Sequence, residues 1–118
     1  MSTIAMTAKT FPEQMKKEGI VFIDFWASWC GPCRAFAPIF EAAAERHPDI
    51  TWAKVDTQAE PDLAGALNIR AIPTLMVIRD GVILLAQPGV VPARALDDLV
   101  TKVRALDMNE VVRTAKVA

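Results

Sequence analysis

Cysteine is scarce in this 118-residue sequence: Cys30 and Cys33 are the only two, and His47 is the only histidine. Two cysteines three positions apart cannot build a disulfide framework or staple distant parts of a fold. Closing so short a loop restricts the unfolded chain by only about 2 kcal/mol, before native strain is subtracted. A structural zinc normally takes four Cys or His ligands, and the only other candidate, His47, lies 14 residues beyond Cys33. An excess of one charge is missing too, since 13 Lys and Arg face 14 Asp and Glu, a net charge of −1. With no basic surplus to neutralise phosphates, nucleic-acid binding is not expected. No apolar run approaches the roughly 20 residues of a membrane span, so no membrane association is expected. The first ten residues have no basic segment followed by an apolar stretch of signal-peptide length. The expectation is a soluble, cytoplasmic protein, in a compartment where structural disulfides are rare and catalytic ones persist.

What is present is enough apolar material for one packed core, with 53% hydrophobic and 23% charged residues. No repeat, low-complexity tract or linker interrupts it. Residues 20–26, Ile-Val-Phe-Ile-Asp-Phe-Trp, read as a strand covered on both faces. From Cys30 to Arg46, Phe36, Ile39, Phe40, Ala43 and Ala44 recur at helical spacing, with Glu41, Glu45 and Arg46 on the other side. Pro38 is expected to kink that helix. Residues 51–55 predict a second interior strand, and 60–67 a short helix. Thr74–Ile78 and Val82–Ala86 predict two strands joined through Asp80-Gly81, a strong hairpin signal. Leu96, Leu99, Val100, Val103 and Leu106 define an amphipathic helix, with Pro92 in its first turn. Near the start, Ile4–Thr7 reads as an edge strand and Phe11–Glu18 as a helix. Parallel strands interleaved with helices, then an antiparallel hairpin, imply an α/β fold with helices on both faces of a mixed sheet.

The chemistry gathers at Trp26-Ala27-Ser28-Trp29-Cys30-Gly31-Pro32-Cys33-Arg34, where a buried strand gives way to a helix. Orphan amide donors and the positive helix end meet there, and both favour a thiolate over a thiol. The Cys-x-x-Cys spacing suits a reversible dithiol/disulfide couple, with metal binding and two inert neighbours as alternatives. Cys33, a turn into the helix, is expected to be the more buried of the two. Asp24 lies within the apolar strand, where an ionised carboxylate is costly and its pKa should rise. The alternative is that strand alternation turns it to solvent.

Trp29-Cys30-Gly31-Pro32-Cys33 resembles the active site of the thioredoxin family. Phe25-Trp26-Ala27 before it and Ala37-Pro38 after it resemble the family as well. Ile69-Arg70-Ala71-Ile72-Pro73-Thr74-Leu75 is similar to the segment that carries the family's cis-proline, and Gly89 falls where the family has a glycine. The resemblance covers residues 2–106 and implies the thioredoxin fold, with a central mixed five-stranded sheet. It divides the chain into a domain, 1–107, and a C-terminal tail, 108–118. Disorder is the plainer reading of that tail, but Met108, Val111, Val112 and Ala115 keep helical spacing, so a further helix or a contact surface is the alternative.

The resemblance also implies roles. Cys30 attacks a substrate disulfide and Cys33 resolves the mixed disulfide. Asp24 accepts the Cys33 proton, directly or through water, and Lys54 modulates it or is merely a surface lysine. Trp29, Gly31, Pro32, Ile72, Pro73, Gly89 and Val90 form a groove for an extended substrate segment, which the Ile72 backbone pairs. Arg34 either supports the thiolate or is simply solvated. Gln58 stands where an acidic residue is common in the family, so no substrate contact is carried over there. The implied function is disulfide reduction in substrate proteins by a monomer with no bound cofactor. Electrons would come from NADPH through thioredoxin reductase. Gly31-Pro32 resembles the reducing members, near about −270 mV, rather than the isomerases near about −180 mV. An isomerase or oxidant, or a partner-binding module that needs no redox change, is the alternative.

Overall fold

The computed structural model describes residues 2–117. In chain order the elements are β1 (Thr3–Ala5), α1 (Phe11–Lys16), β2 (Ile20–Trp26), α2 (Gly31–Arg46) and β3 (Thr51–Asp56). Then come α3 (Pro61–Ala66), β4 (Thr74–Arg79), β5 (Val82–Pro88), α4 (Ala93–Ala105) and α5 (Met108–Val117). The strands form one sheet in the order β1-β3-β2-β4-β5. β3 is parallel to both β1 and β2, whereas β4 is antiparallel to β2 and β5.

Strand alternation sorts the core into two layers. Phe22, Trp52, Leu75 and Val77 point to the side covered by Phe36 and Phe40 of α2 and by Leu96, Val100 and Val103 of α4. Val21, Ile23, Phe25, Val55, Met76 and Ile78 point to the other side, where Phe11, Met15 and Leu63 of α1 and α3 pack. Phe22, Trp52 and Phe40 are in ring contact, with centroids 4.7 and 5.2 Å apart. Phe36 adds a further ring 5.8 Å from Phe40. β2 is covered on both faces because it lies at the centre of the sheet, as its apolar run, broken only by Asp24, requires.

Several boundaries differ from the periodicity reading, each for a local reason. β1 is Thr3–Ala5. Thr7 instead begins the turn into α1, its carbonyl accepting the Phe11 amide at 2.9 Å and its amide donating to Thr10 Oγ1 at 2.9 Å. α1 ends at Lys16 because Lys17 is extended and Gly19 takes a φ of +109°. Pro92 is not in the first turn of α4 but caps it, with ψ at 152°, and its carbonyl accepts the Leu96 amide. α2 continues through Pro38 to Arg46. The tail forms α5, and Asp107 Oδ1 accepts the Asn109 amide at its start.

The β4–β5 turn needs Asp80 and Gly81, whose φ angles are +53° and +79°. Successive positive φ values match the twist of the flanking strands. Asp80 also ties this turn to the segment entering β2, since Gly19 N donates to Asp80 Oδ1 at 2.7 Å and Asp80 N donates to Gly19 O at 2.9 Å. A Cβ on Gly81 would meet the Met15 carbonyl oxygen at 2.8 Å, whereas one on Gly65 in α3 meets nothing within 4 Å. Gly81→Ala should therefore lose more than about 1 kcal/mol, and Gly65→Ala should gain about 0.5–1 kcal/mol. Urea unfolding of the two variants beside the parent checks both signs.

Candidate active site

β2 ends at Trp26, and Ala27–Trp29 turn the chain into α2. Cys30 is the N-cap of that 16-residue helix, extended at φ −89° and ψ 112°, and its Sγ accepts the Cys33 amide at 3.1 Å. Pro32 in the first turn contributes no N–H. Cys30 and Cys33 are joined as a disulfide. In the reduced chain the same amide and the positive helix end would favour charge on the Cys30 sulfur. Burial barely separates the two cysteines, which are 5% and 3% exposed. Ala27, Trp26 and Ile72 pack around both, so the cap position is what distinguishes Cys30. Cys33 faces a small cavity of about 130 Å³ that Trp26, Ala37 and Lys54 also line.

The loop before β4 closes over the pair. The Ile72–Pro73 bond is cis, and the Ile72 carbonyl oxygen lies 3.7 Å from Cys30 Sγ. Thr74 Oγ1 donates to Ala71 O at 2.5 Å, and Gly89 N donates to Pro73 O at 2.8 Å. Trp29 is 65% exposed beside Cys30 and shares a depression of about 210 Å³ with Thr57, Ile69 and Ile72. Gly31 and Pro32 are exposed at the helix start. Thus Trp29 and Ile72 share one depression, and Pro73 and Gly89 share a hydrogen bond. Val90 opens instead onto a separate depression between β5 and α4, with Leu85, Val91 and Leu99.

Asp24 is fully buried, and neither carboxylate oxygen has a hydrogen-bond partner. It shares the parity of Phe22, so it points to the side of the sheet that α2 covers, and it is in register with Lys54 and Leu75. Burial pushes its pKa from 3.8 up to about 7, the Lys54 charge opposing the rise and the Glu41 charge adding to it. Lys54 does not pair with Asp24. Its Nζ lies 3.6 Å from Glu41 Oε2 and 5.5 Å from the centre of the Trp26 ring.

Glu41 is the member of this group that periodicity misses, because it counts as an outward residue of α2. The available signal is its spacing: Cys33, Ala37 and Glu41 are four apart and line one stripe of the helix. Its carboxylate also accepts the Thr3 hydroxyl, at 2.9 and 3.1 Å. Other conspicuous residues have structural partners. Arg34 donates to Ser28 O at 2.9 Å. His47 ends α2, its Nε2 2.9 Å from Asp97 Oδ1, and its carbonyl accepts the Trp52 indole N–H at 3.0 Å. His47 and Arg46 beside Asp97 hold that carboxyl below its ordinary range. Gln58 is exposed, its amide donating to Asp56 Oδ1. Among the described residues no group of three or more His, Cys, Asp or Glu is arranged to hold a metal.

The thioredoxin family model matches residues 2–105. The chain is 49% identical over 110 residues to a Streptomyces coelicolor protein provisionally called thioredoxin 2, covering 93% of this chain and 82% of that one. It is 39% identical to thioredoxin 1 of Synechococcus elongatus, over 83% of this chain and 94% of the relative. A thioredoxin of Bacillus subtilis is 36% identical, over 86% and 98%.

Asp24 makes stability depend on pH in a definite direction. Its folded-state pKa lies above the unfolded value, so the folded chain holds the extra proton between 3.8 and about 7, and stability is lost as pH rises through that window. The gap corresponds to about 4 kcal/mol above pH 7. Asp24→Asn should therefore be more stable than the parent at pH 8, with the difference closing toward pH 4. Denaturant midpoints at the two pH values check this, and a difference that grows in acid would reverse the sign.

Proposed function

The chain belongs to the thioredoxin family and is a thiol–disulfide oxidoreductase, a protein-disulfide reductase, and on that premise we propose how its residues divide the work. Cys30 as thiolate attacks one sulfur of a substrate disulfide. A Cys30–substrate disulfide forms, and the other substrate sulfur leaves as a thiolate. Cys33 then gives its proton to the Asp24 carboxylate, directly or through water, and attacks the Cys30 sulfur. The Cys30–Cys33 disulfide forms, and the second substrate sulfur leaves with its electron pair. Two electrons have passed from the dithiol to the substrate, and the departing thiolates take protons from solvent.

The observation that carries the order of attack is the cap. Cys30 Sγ accepts the Cys33 amide at the start of α2, so its thiolate is the one a helix end stabilises. Asp24 is suited to the second step because it is buried without a partner and titrates near 7. Lys54 modulates Asp24 through its charge. Trp29, Gly31, Pro32, Ile72, Pro73 and Gly89 receive an extended substrate segment across the disulfide, with Ile72 offering backbone pairing, and Val90 lies at the margin of that surface.

Electrons reach the disulfide from NADPH through a thioredoxin reductase, and the substrates are proteins with accessible disulfides. The chain works as a monomer in the cytoplasm, since both cysteines and Asp24 lie in one chain and the dithiol needs a reducing compartment. No helix among the described residues is long and apolar enough to cross a membrane.

Trapping tests the assignment. With insulin as substrate, Cys33→Ser should accumulate a covalent adduct through Cys30, and Cys30→Ser should accumulate none. With NADPH and thioredoxin reductase from the same organism, the parent should reduce insulin and both variants should fall to background. An adduct formed by Cys30→Ser alone would reverse the roles.

A further inference from the structure

Glu41 belongs to no cysteine pair and to no substrate surface, yet it is held from two directions. The Thr3 hydroxyl of the edge strand donates to both of its carboxylate oxygens, and the Lys54 ammonium lies 3.6 Å away. Lys54 in turn rests over the Trp26 ring and lines the cavity that Cys33 faces. Asp24 is the strand neighbour of Lys54 but has no ion pair and no hydrogen bond. A cation beside a buried carboxylate is the strongest available stabiliser of its charge, and here that cation is occupied elsewhere.

We propose that Glu41 is a positioning residue for the proton-accepting step: seated by Thr3, it tethers the Lys54 ammonium and so keeps Asp24 basic enough to take the Cys33 proton. The inference rests on the role given above to Asp24. Two electrostatic effects of Glu41 act in one direction. Its own charge disfavours a second carboxylate nearby, and its ion pair weakens the Lys54 charge felt at Asp24. The groups facing Asp24 are few. β3 contributes Lys54, α2 contributes Glu41, and β4 contributes the apolar Leu75. Without Glu41 the flexible lysine stem is free to bring its ammonium to Asp24, which would hold the carboxylate ionised and make it a weaker base.

Glu41→Gln removes the charge while retaining an acceptor for Thr3, and Glu41 is half-exposed, so the fold tolerates it. The reading is the carboxyl ¹³C titration of Asp24 in the oxidised protein. The expected result is a midpoint at lower pH, a loss of about threefold or more in proton affinity, with an unchanged far-ultraviolet spectrum. An unchanged or raised midpoint overturns the proposal. Lys54→Met supplies the second arm. In that background Glu41→Gln should shift the midpoint by less, because the tether has nothing to hold. An equal shift in both backgrounds would mean that Glu41 acts by its own charge alone, and would overturn the tether. The titration requires no turnover. If Asp24 is not the proton acceptor, the midpoint still moves while the rate of mixed-disulfide resolution in Glu41→Gln does not, which separates the two failures.

Discussion

A carboxylate sealed in the middle of a sheet, with no hydrogen bond and no ion pair, is the constraint around which this molecule is arranged. Asp24 increasingly opposes folding as pH rises from 3.8 to about 7, and fully above it, and the apolar layers of β2 must offset it. Phe22, Trp52, Phe40 and Phe36 supply part of that compensation on the same side of the sheet. The same packing keeps solvent from the carboxyl, which is why its proton affinity falls in the range useful at neutral pH. Stability and chemistry therefore pull against each other at one residue, a pattern expected of functional sites.

The scaffold holds this arrangement from its ends. Arg79, at the end of β4, donates to the Val103 and Leu106 carbonyls at 2.7 and 3.0 Å and so closes the C-terminus of α4. Arg104 pairs with Asp49 through two hydrogen bonds, drawing α4 toward the segment that enters β3. His47 joins the end of α2 to Asp97 of α4 and to the Trp52 indole of β3. These contacts fix α2 against the sheet, and α2 carries Cys33, Ala37 and Glu41 along the side that Asp24 and Lys54 face. Exposed ion pairs of this kind contribute little stability individually. Their effect is to set the position of the helix.

Much of this was legible in the residues. The apolar run of β2, the helical spacing from Phe36 to Ala44 and the Asp80-Gly81 turn specify their elements through burial and backbone sterics, which act locally. Cys30, Cys33, Asp24 and the Ile72–Pro73 loop were visible as chemistry-bearing residues in a recognisable order. What escaped was set by distance in sequence. The Thr3–Glu41–Lys54 chain joins residues from three separate segments, and no periodicity reports that an outward helix residue meets an edge strand. Cys33 is the more buried cysteine, as its place a turn into the helix implies, but only slightly, because Ile72 also covers Cys30. Val90 follows Gly89 in sequence, but that it also lines a depression beside α4 is set by the fold and not by its neighbour. Element ends moved where caps and turns, at Thr7, Gly19 and Pro92, outweigh apolar spacing.

The central claim is that burial at Asp24 is put to use in the resolving step. Its most direct test is the single-turnover rate at which Cys33 releases substrate from a preformed Cys30 mixed disulfide, followed from pH 5 to 9 in the parent and in Asp24→Asn. The account predicts a parent rate that falls as pH drops through about 7, and a variant that is slower at pH 8 and has lost that inflection. Equal rates and the same inflection in both proteins would contradict it.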